Sequence, residues 1–380
     1  MRRLLLLVGA IIFVDTMFFA ALTPLLPGYA EDLDLSKTGV GVLAAAYPAG
    51  ALAGGIPGGM SAARFGVKPT VVTGLLLMVA TTSAFGFADN IVLLDLARFA
   101  QGFASALTWT ASLAWLVSRA PAERRGLLIG TAMSAAIAGA LFGPVLGGVA
   151  SLIGIEVAFA AVAVLGLVLA VWAVLTPAAK PEQAQPVSML WAAIKDRAVL
   201  WSVWFVALPA LLFSTMGVLA SLRLDRLGMS AVGIGAVFLT SAAIEAVLNP
   251  AAGRLSDVRG RLLPIRAGLA ASALMTVLLP WPNDRYVLAV LVVLAGMAFG
   301  LFWTPAMSHL TDLAERRGLD YAYGFALVNI AWAPGQALGA AGGGALARAT
   351  SDAVPYLFLT ALCLVSLALV GHTRARSSGS

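Results

Sequence analysis

Twelve apolar runs, each about twenty residues long, leave this chain few ways to fold. They lie near 4–28, 39–62, 70–88, 91–118, 126–151, 155–175, 198–222, 231–253, 262–281, 286–313, 320–347 and 353–371. A run of that length crosses roughly 30 Å of hydrocarbon as a helix, and the helix is needed because the bilayer offers backbone groups no other partners. The balance of residues agrees. Hydrophobic residues make up 61% and charged residues 11%, with a mean hydropathy of +0.94, whereas about a quarter of a soluble domain is charged. An all-α membrane protein is expected.

The polar interruptions add a second constraint. Gly59 to Pro69 (GMSAARFGVKP) and Gly253 to Pro264 (GRLSDVRGRLLP) share one grammar, Gly59 matching Gly253 and Gly66 matching Gly260, each with a base, Lys68 or Arg261, just beyond the second glycine. The longest polar stretch, Pro177 to Arg197, falls between them near the middle of the chain. The pattern predicts twelve transmembrane helices in two pseudo-symmetric six-helix bundles: an N-terminal bundle at 1–176, a cytoplasmic linker at 177–197 and a C-terminal bundle at 198–380. Such a duplication is the natural basis of a transporter.

Charge gives an orientation. With both termini in the cytoplasm, most of the 24 Lys and Arg residues fall on the inner side and only Arg98 lies inside a span, the bias expected of a multi-pass protein of the plasma (inner) membrane. Attraction of Arg124, Arg125, Arg259, Arg316 and Arg317 to an anionic leaflet accounts for the basic balance, so no nucleic-acid partner is invoked. Arg2, Arg3 and the leucines after them read as a retained first span. Cys363 lies within the last run, which leaves no disulfide or cysteine metal site. There is no phosphate-binding loop, and neither a clustered nucleophile and base nor a metal set at one membrane face. The reading is therefore a transporter without cofactor or metal and not an enzyme, its partners being a small-molecule substrate, protons and the lipid bilayer. A monomer is expected.

In the first loop, glycines allow a tight turn and close packing, while Arg64 and Lys68 can bond carbonyls at neighbouring helix ends, making a cytoplasmic latch. The loop resembles the cytoplasmic signature of the major facilitator superfamily, with Ala63 at its aspartate position; the second copy keeps an acid at Asp257 and a base at Arg261. In the fourth span, Arg98, Gln101 and Gly102 resemble a second signature of that superfamily, and the resemblance implies a part for Arg98 in proton coupling. Asp95, one turn earlier, is a candidate partner for Arg98. Gly139, Gly143, Pro144, Gly147 and Gly148 resemble the antiporter signature of drug:proton exporters, and Pro334, Gly335, Gly339, Gly343 and Gly344 repeat the device in the eleventh span. Glycines at four-residue spacing make a smooth face, and proline weakens the helical ladder so that it can bend.

Asp15 is the sharpest single residue. It stands roughly 16 Å into the first span, near mid-membrane. Loss of water disfavours its charged form, so the carboxyl is placed to exchange a proton or to pair with a cationic substrate. The surrounding FVDTMFFAALTPLLPGYAEDL resembles the first span of the vesicular monoamine and acetylcholine transporters. The resemblance continues through the fourth and fifth spans and into the tenth and eleventh, where Asp312 falls on an acidic position and Asn329 stands in place of an aspartate. Glu245 reads either as a second proton or cation site or as a protonated helix–helix hydrogen bond. His309 reads as a relay to Asp312 or as a helix-end hydrogen bond. Trp109, Trp303 and Trp332 offer aromatic faces to an organic cation or pack. The resulting expectation is proton-coupled efflux of a small lipophilic or cationic compound by alternating access. The alternatives are an importer or facilitator of a neutral metabolite and, more distantly, a non-transporting membrane receptor.

Overall fold

The computed structural model describes residues 1–121, 124–178, 187–259, 262–319 and 321–377. These form fourteen α-helices and a short 3-10 turn, with no strand among the described residues. In chain order the helices are α1 (Arg2–Ala20), α2 (Leu26–Asp32), α3 (Lys37–Phe65), α4 (Val67–Gly86), α5 (Ile91–Arg119), α6 (Arg125–Ile153), α7 (Ile155–Leu175), α8 (Val187–Ile194), α9 (Arg197–Arg226), α10 (Ala231–Arg259), α11 (Leu262–Leu278), α12 (Arg285–Arg316), α13 (Tyr321–Ala349) and α14 (Ala353–Ser377). Among the described residues, ten stretches are long and apolar enough to cross a membrane, α1 through α2 counting as one. A shorter apolar helix at Leu263–Leu278 and the glycine-rich α13 bring the long elements to the twelve expected from the sequence.

The surface confirms that the runs face lipid. Along α7, Val157, Val164, Val168, Val171 and Leu175 are all exposed, an apolar outer face that a water-soluble bundle would have to cover. Helix starts outside the apolar runs are closed by short polar side chains, which satisfy N–H groups that have no partner within the helix. Ser36 caps α3, Asn90 caps α5 through a 2.9 Å bond from the Leu93 N–H, and Asp284 caps α12. Gly66 ends α3 at φ +97°, a backbone conformation that a side chain would strain, and α4 begins at the next residue.

The first run is not one uninterrupted α-helix. Pro24 and Pro27 remove two backbone donors, so α1 gives way to a 3-10 turn at Thr23–Leu25 before α2 resumes. The polar 177–197 stretch, of which 179–186 lie outside the described residues, is not all loop. It contains α8, whose Leu190 and Ala193 are buried, and its start is held by Arg119 donating to the carbonyls of Pro177 and Ala178.

Pseudo-symmetry is visible in the glycines. A side-chain carbon at Gly139, Gly143 or Gly147 of α6 would run into the backbone or side chains of α1 and its 3-10 turn, at Phe13, Ala20 and Ala21 respectively. On α13, Gly335, Gly339 and Gly343 make the same approach to α9 at Ala207, Leu211 and Thr215. By this correspondence Asp15 of α1 is matched by Pro209 of α9, so the acid belongs to one half only.

Two more helix pairs join the halves. Gly41 of α3 lies against the backbone of Ala340 of α13, and Gly344 of α13 against that of Lys37; Gly235 of α10 packs on the Pro144 carbonyl of α6. All these contacts lie toward one end of the bundle, where Lys37 and Arg226 both pair with Asp352 in the turn between α13 and α14. Helices α6 and α13 continue unbroken through Pro144 and Pro334, so in this conformation their glycines act as close-packing surfaces.

Candidate functional site

Asp15 is buried at 2% exposure in α1, and all its hydrogen bonds come from α3 and α5. The Tyr47 hydroxyl donates to it, 3.0 Å from both Oδ1 and Oδ2. The Ser105 hydroxyl lies 2.8 Å from Oδ2, and the Trp109 indole N–H 2.6 Å from the same oxygen. Ser105 and Trp109 are four residues apart, which sets both side chains on one face of α5. Close approach of α3 to α5, where Gly102 lies under the Tyr47 carbonyl and Gly50 under that of Phe99, brings the third donor into place. A buried carboxylate ringed by neutral donors is stabilised by charge-assisted hydrogen bonds.

Arg98 completes the cluster without touching the carboxylate. It is 1% exposed, and its guanidinium lies 5.0 Å from the centre of the Tyr47 ring, with Phe18 and Phe85 on other sides. It donates to Gln101 Oε1 at 3.3 Å and to the Phe19 carbonyl at 3.4 Å, while Gln101 passes its own N–H to the Thr81 carbonyl at 3.2 Å. The expected pairing of Arg98 with Asp95 does not form among the described residues. Asp95 Oδ1 is buried without a hydrogen-bond partner, because the arginine turns inward to the aromatic rings and the carbonyl of α1. Aromatic faces and carbonyl dipoles spread the cost of this buried charge.

The other half approaches through α13. Trp332 makes an edge contact with Phe19 at 5.6 Å, and Phe19 lies 4.9 Å from Tyr47. Asn329 donates its amide to the Ala51 carbonyl of α3 at 3.2 Å. Asp15, Arg98, Gln101, Trp109, Asn329 and Trp332 are thus linked through α1, α3, α5 and α13. Tyr47, Ser105 and Phe19 are the additions. Trp109 also acts differently from expectation, through its N–H more than its ring face.

The remaining acids lie elsewhere. Glu245 of α10 is half-buried with its stem against Gly300 of α12. Asp312 is half-buried on α12, one turn from His309, whose Nδ1 is 2.7 Å from the Ser202 hydroxyl of α9. That bond ties α12 to α9. Trp303, on the same helix, packs partly buried against the core. Of the latch residues, Gly59 faces open space, and exposed Arg64 stacks on Phe65 at 5.3 Å. Among the described residues neither Arg64 nor Lys68 makes a hydrogen bond or ion pair. The side chain of Asp257 and all of Arg261 lie outside the described residues. At the same end of the bundle, Arg317 after α12 pairs with Asp196, the cap of α9, at 2.5 Å.

A two-part bundle of long apolar helices, joined through glycine-lined helix pairs and holding a buried carboxylate and guanidinium in one half, defines a polytopic membrane protein of the transporter type. The sequence profile described as Major Facilitator Superfamily matches residues 8–319 and 217–379, and the chain belongs to that family. Its relatives include the synaptic vesicular amine transporter of Homo sapiens, 26% identical over 306 residues that cover 77% of this chain and 58% of that protein. Another is the MFS-type transporter ppzB of Metarhizium rileyi, 30% identical over 143 residues, covering 36% of this chain and 30% of that one. The chain therefore spans less than two thirds of the length of these curated relatives. A solved bacterial homologue of the human lysosomal transporter Spinster, described as inward-facing and unoccupied, has the same fold, with a TM-score of 0.79 at 14% identity over 97% of this chain and 95% of that one.

Proposed function

We propose that this chain is a secondary transporter that exports a small lipophilic or cationic compound in exchange for protons, by alternating access between halves at 1–176 and 198–380. The observation that carries this reading is Asp15, a carboxylate buried in an apolar helix and held by Tyr47, Ser105 and Trp109, with the Tyr47 ring against Phe19 and Phe19 against Trp332. A carboxylate so placed can take a proton or an organic cation, one at the expense of the other, and aromatic faces suit the cation. Kinship with vesicular amine transporters favours the same ligand chemistry. Glu245 and Asp312 are secondary acids, and Arg98 tunes the field at Asp15.

In this reading the chain sits in the plasma membrane as a monomer, with both termini and the 177–197 linker cytoplasmic. The Asp352 end is then the outer end. The packing of Gly41 on Ala340, together with the Lys37, Arg226 and Asp352 cluster, supports a conformation closed to the outside. Rocking of one half against the other about the Asp15 region would open that end and close the opposite one.

The test is proton release from purified protein on addition of a panel of organic cations, comparing the intact chain with Asp15→Asn. Release that disappears in the variant supports antiport through Asp15. Binding without release in the intact chain would sink it and favour the facilitator of a neutral metabolite.

A further inference from the structure

Protonation of Asp15 poses a hydrogen-bonding problem that the three donors do not solve unaided. Oδ2 already accepts from both Ser105 and Trp109, whereas Oδ1 receives only Tyr47. An indole N–H can only donate, so the Trp109 bond persists in either charge state. A proton arriving at Oδ2 would displace one of its two donors. A proton arriving at Oδ1 meets the Tyr47 oxygen 3.0 Å away, which can accept once the tyrosine turns its own hydrogen elsewhere.

We propose that Tyr47 is a positioning residue of the Asp15 proton site, its hydroxyl donating to the carboxylate and turning to accept from Oδ1 when the acid is protonated. In the protonated state Asp15 Oδ1–H then donates to the Tyr47 oxygen, while Ser105 and Trp109 go on donating to Oδ2. One proton joins the carboxylate from solution, no covalent bond to a heavy atom breaks, and the Tyr47 hydroxyl hydrogen only rotates. The inference rests on the reading of Asp15 as the proton site. Tyr47 from α3 and Arg98 from α5 are the ionisable side chains whose influence reaches Asp15. Arg98 meets Tyr47 through the face of its ring and leaves the hydroxyl free to turn. Because that ring also touches Phe19, which reaches Trp332 of the other half, the turning group sits next to the contact between halves.

Infrared difference spectra of the full chain in lipid nanodiscs, recorded between acidic and alkaline buffer, test this. A carboxylic C=O band that is absent from Asp15→Asn is expected in the acid state. With it should appear a tyrosine C–O band that moves in ring-labelled protein and is lost in Tyr47→Phe, a variant that keeps the ring packing. Ser105→Ala should keep the tyrosine band while displacing the C=O band, since Ser105 bonds to the oxygen left as the carbonyl. An Asp15 band unaccompanied by any Tyr47 band overturns the role of Tyr47 and leaves the proton reading standing. Absence of the Asp15 band overturns both.

Discussion

Lys37 at the start of α3 and Asp352 in the turn after α13 form an ion pair between the two halves of the molecule, and Arg226 of α9 adds a second bond to the same carboxylate at 3.0 Å. Partial burial works to raise the Asp352 carboxyl, but the Lys37 hydrogen bond and the Arg226 charge outweigh it and hold the group below its ordinary value. A carboxyl lowered in the closed form stabilises that form fully above the ordinary carboxylate range. The contribution is lost as pH falls through the lowered value. Asp352→Asn should remove it at neutral pH. Half-exposed pairs contribute about 1 kcal/mol, so the closed population should fall roughly fivefold relative to the open one. Electron–electron distances between spin labels at Glu31 and Thr350, with Cys363 replaced by Ala, would lengthen; an unchanged distribution would refute closure by this pair.

Behind the ion pair the two backbones interlock. Gly344 lies so close to the Lys37 carbonyl that any side chain there must push α13 away from α3. Backbone cannot yield by changing rotamer, so the cost of Gly344→Ala falls in the range of about 1–3 kcal/mol for overpacking. It falls on the closed end alone. The same label pair should report a shift toward the open end, while Gly342→Ala, two residues away with nothing within 4 Å of its added carbon, should be silent.

Much of this was legible in the sequence, and the boundary follows a physical line. Apolar run length and the paired glycine loops announce twelve helices, because both are local properties of the chain. A lone carboxylate in an apolar run announces Asp15 by its cost. Tyr47 and Ser105 were not legible. Such residues are ordinary in spans, and their value here comes from the meeting of α1, α3 and α5, which depends on where glycines let backbones approach. Asp95 and Arg98 misled for the complementary reason: a spacing of three residues permits a pair, but the arginine turned to Gln101 on its own helix and to the Phe19 carbonyl of α1.

Asn329 offers a direct test of what an amide contributes between α13 and α3. Its N–H donates to the Ala51 carbonyl, and an aspartate in its ionised form has no hydrogen to give. Asn329→Asp should exchange a neutral bond of about 1 kcal/mol for oxygen–oxygen repulsion between α13 and α3. Spin-label distances between these helices should then lengthen in alkaline buffer and return in acid, where the protonated acid donates again. Distances that ignore pH would show that the bond carries no weight between the halves.

Gly143 connects the fold to the site. An added methyl would collide with Ala20 and lie 2.8 Å from the Met17 carbonyl, two residues beyond Asp15 on the same helix. To admit it, α1 must step away from α6, and Asp15 moves with it relative to Tyr47, Ser105 and Trp109. Gly143→Ala should therefore lower thermal stability in detergent, by about 1–3 kcal/mol of unfolding free energy, and weaken cation-evoked proton release in parallel. Gly130→Ala, on the same helix with open space around it, should do neither. A Gly143→Ala protein with unchanged stability but slower exchange between conformations would show that this glycine serves bending and not close packing, since a hinge can stiffen without cost to the resting fold.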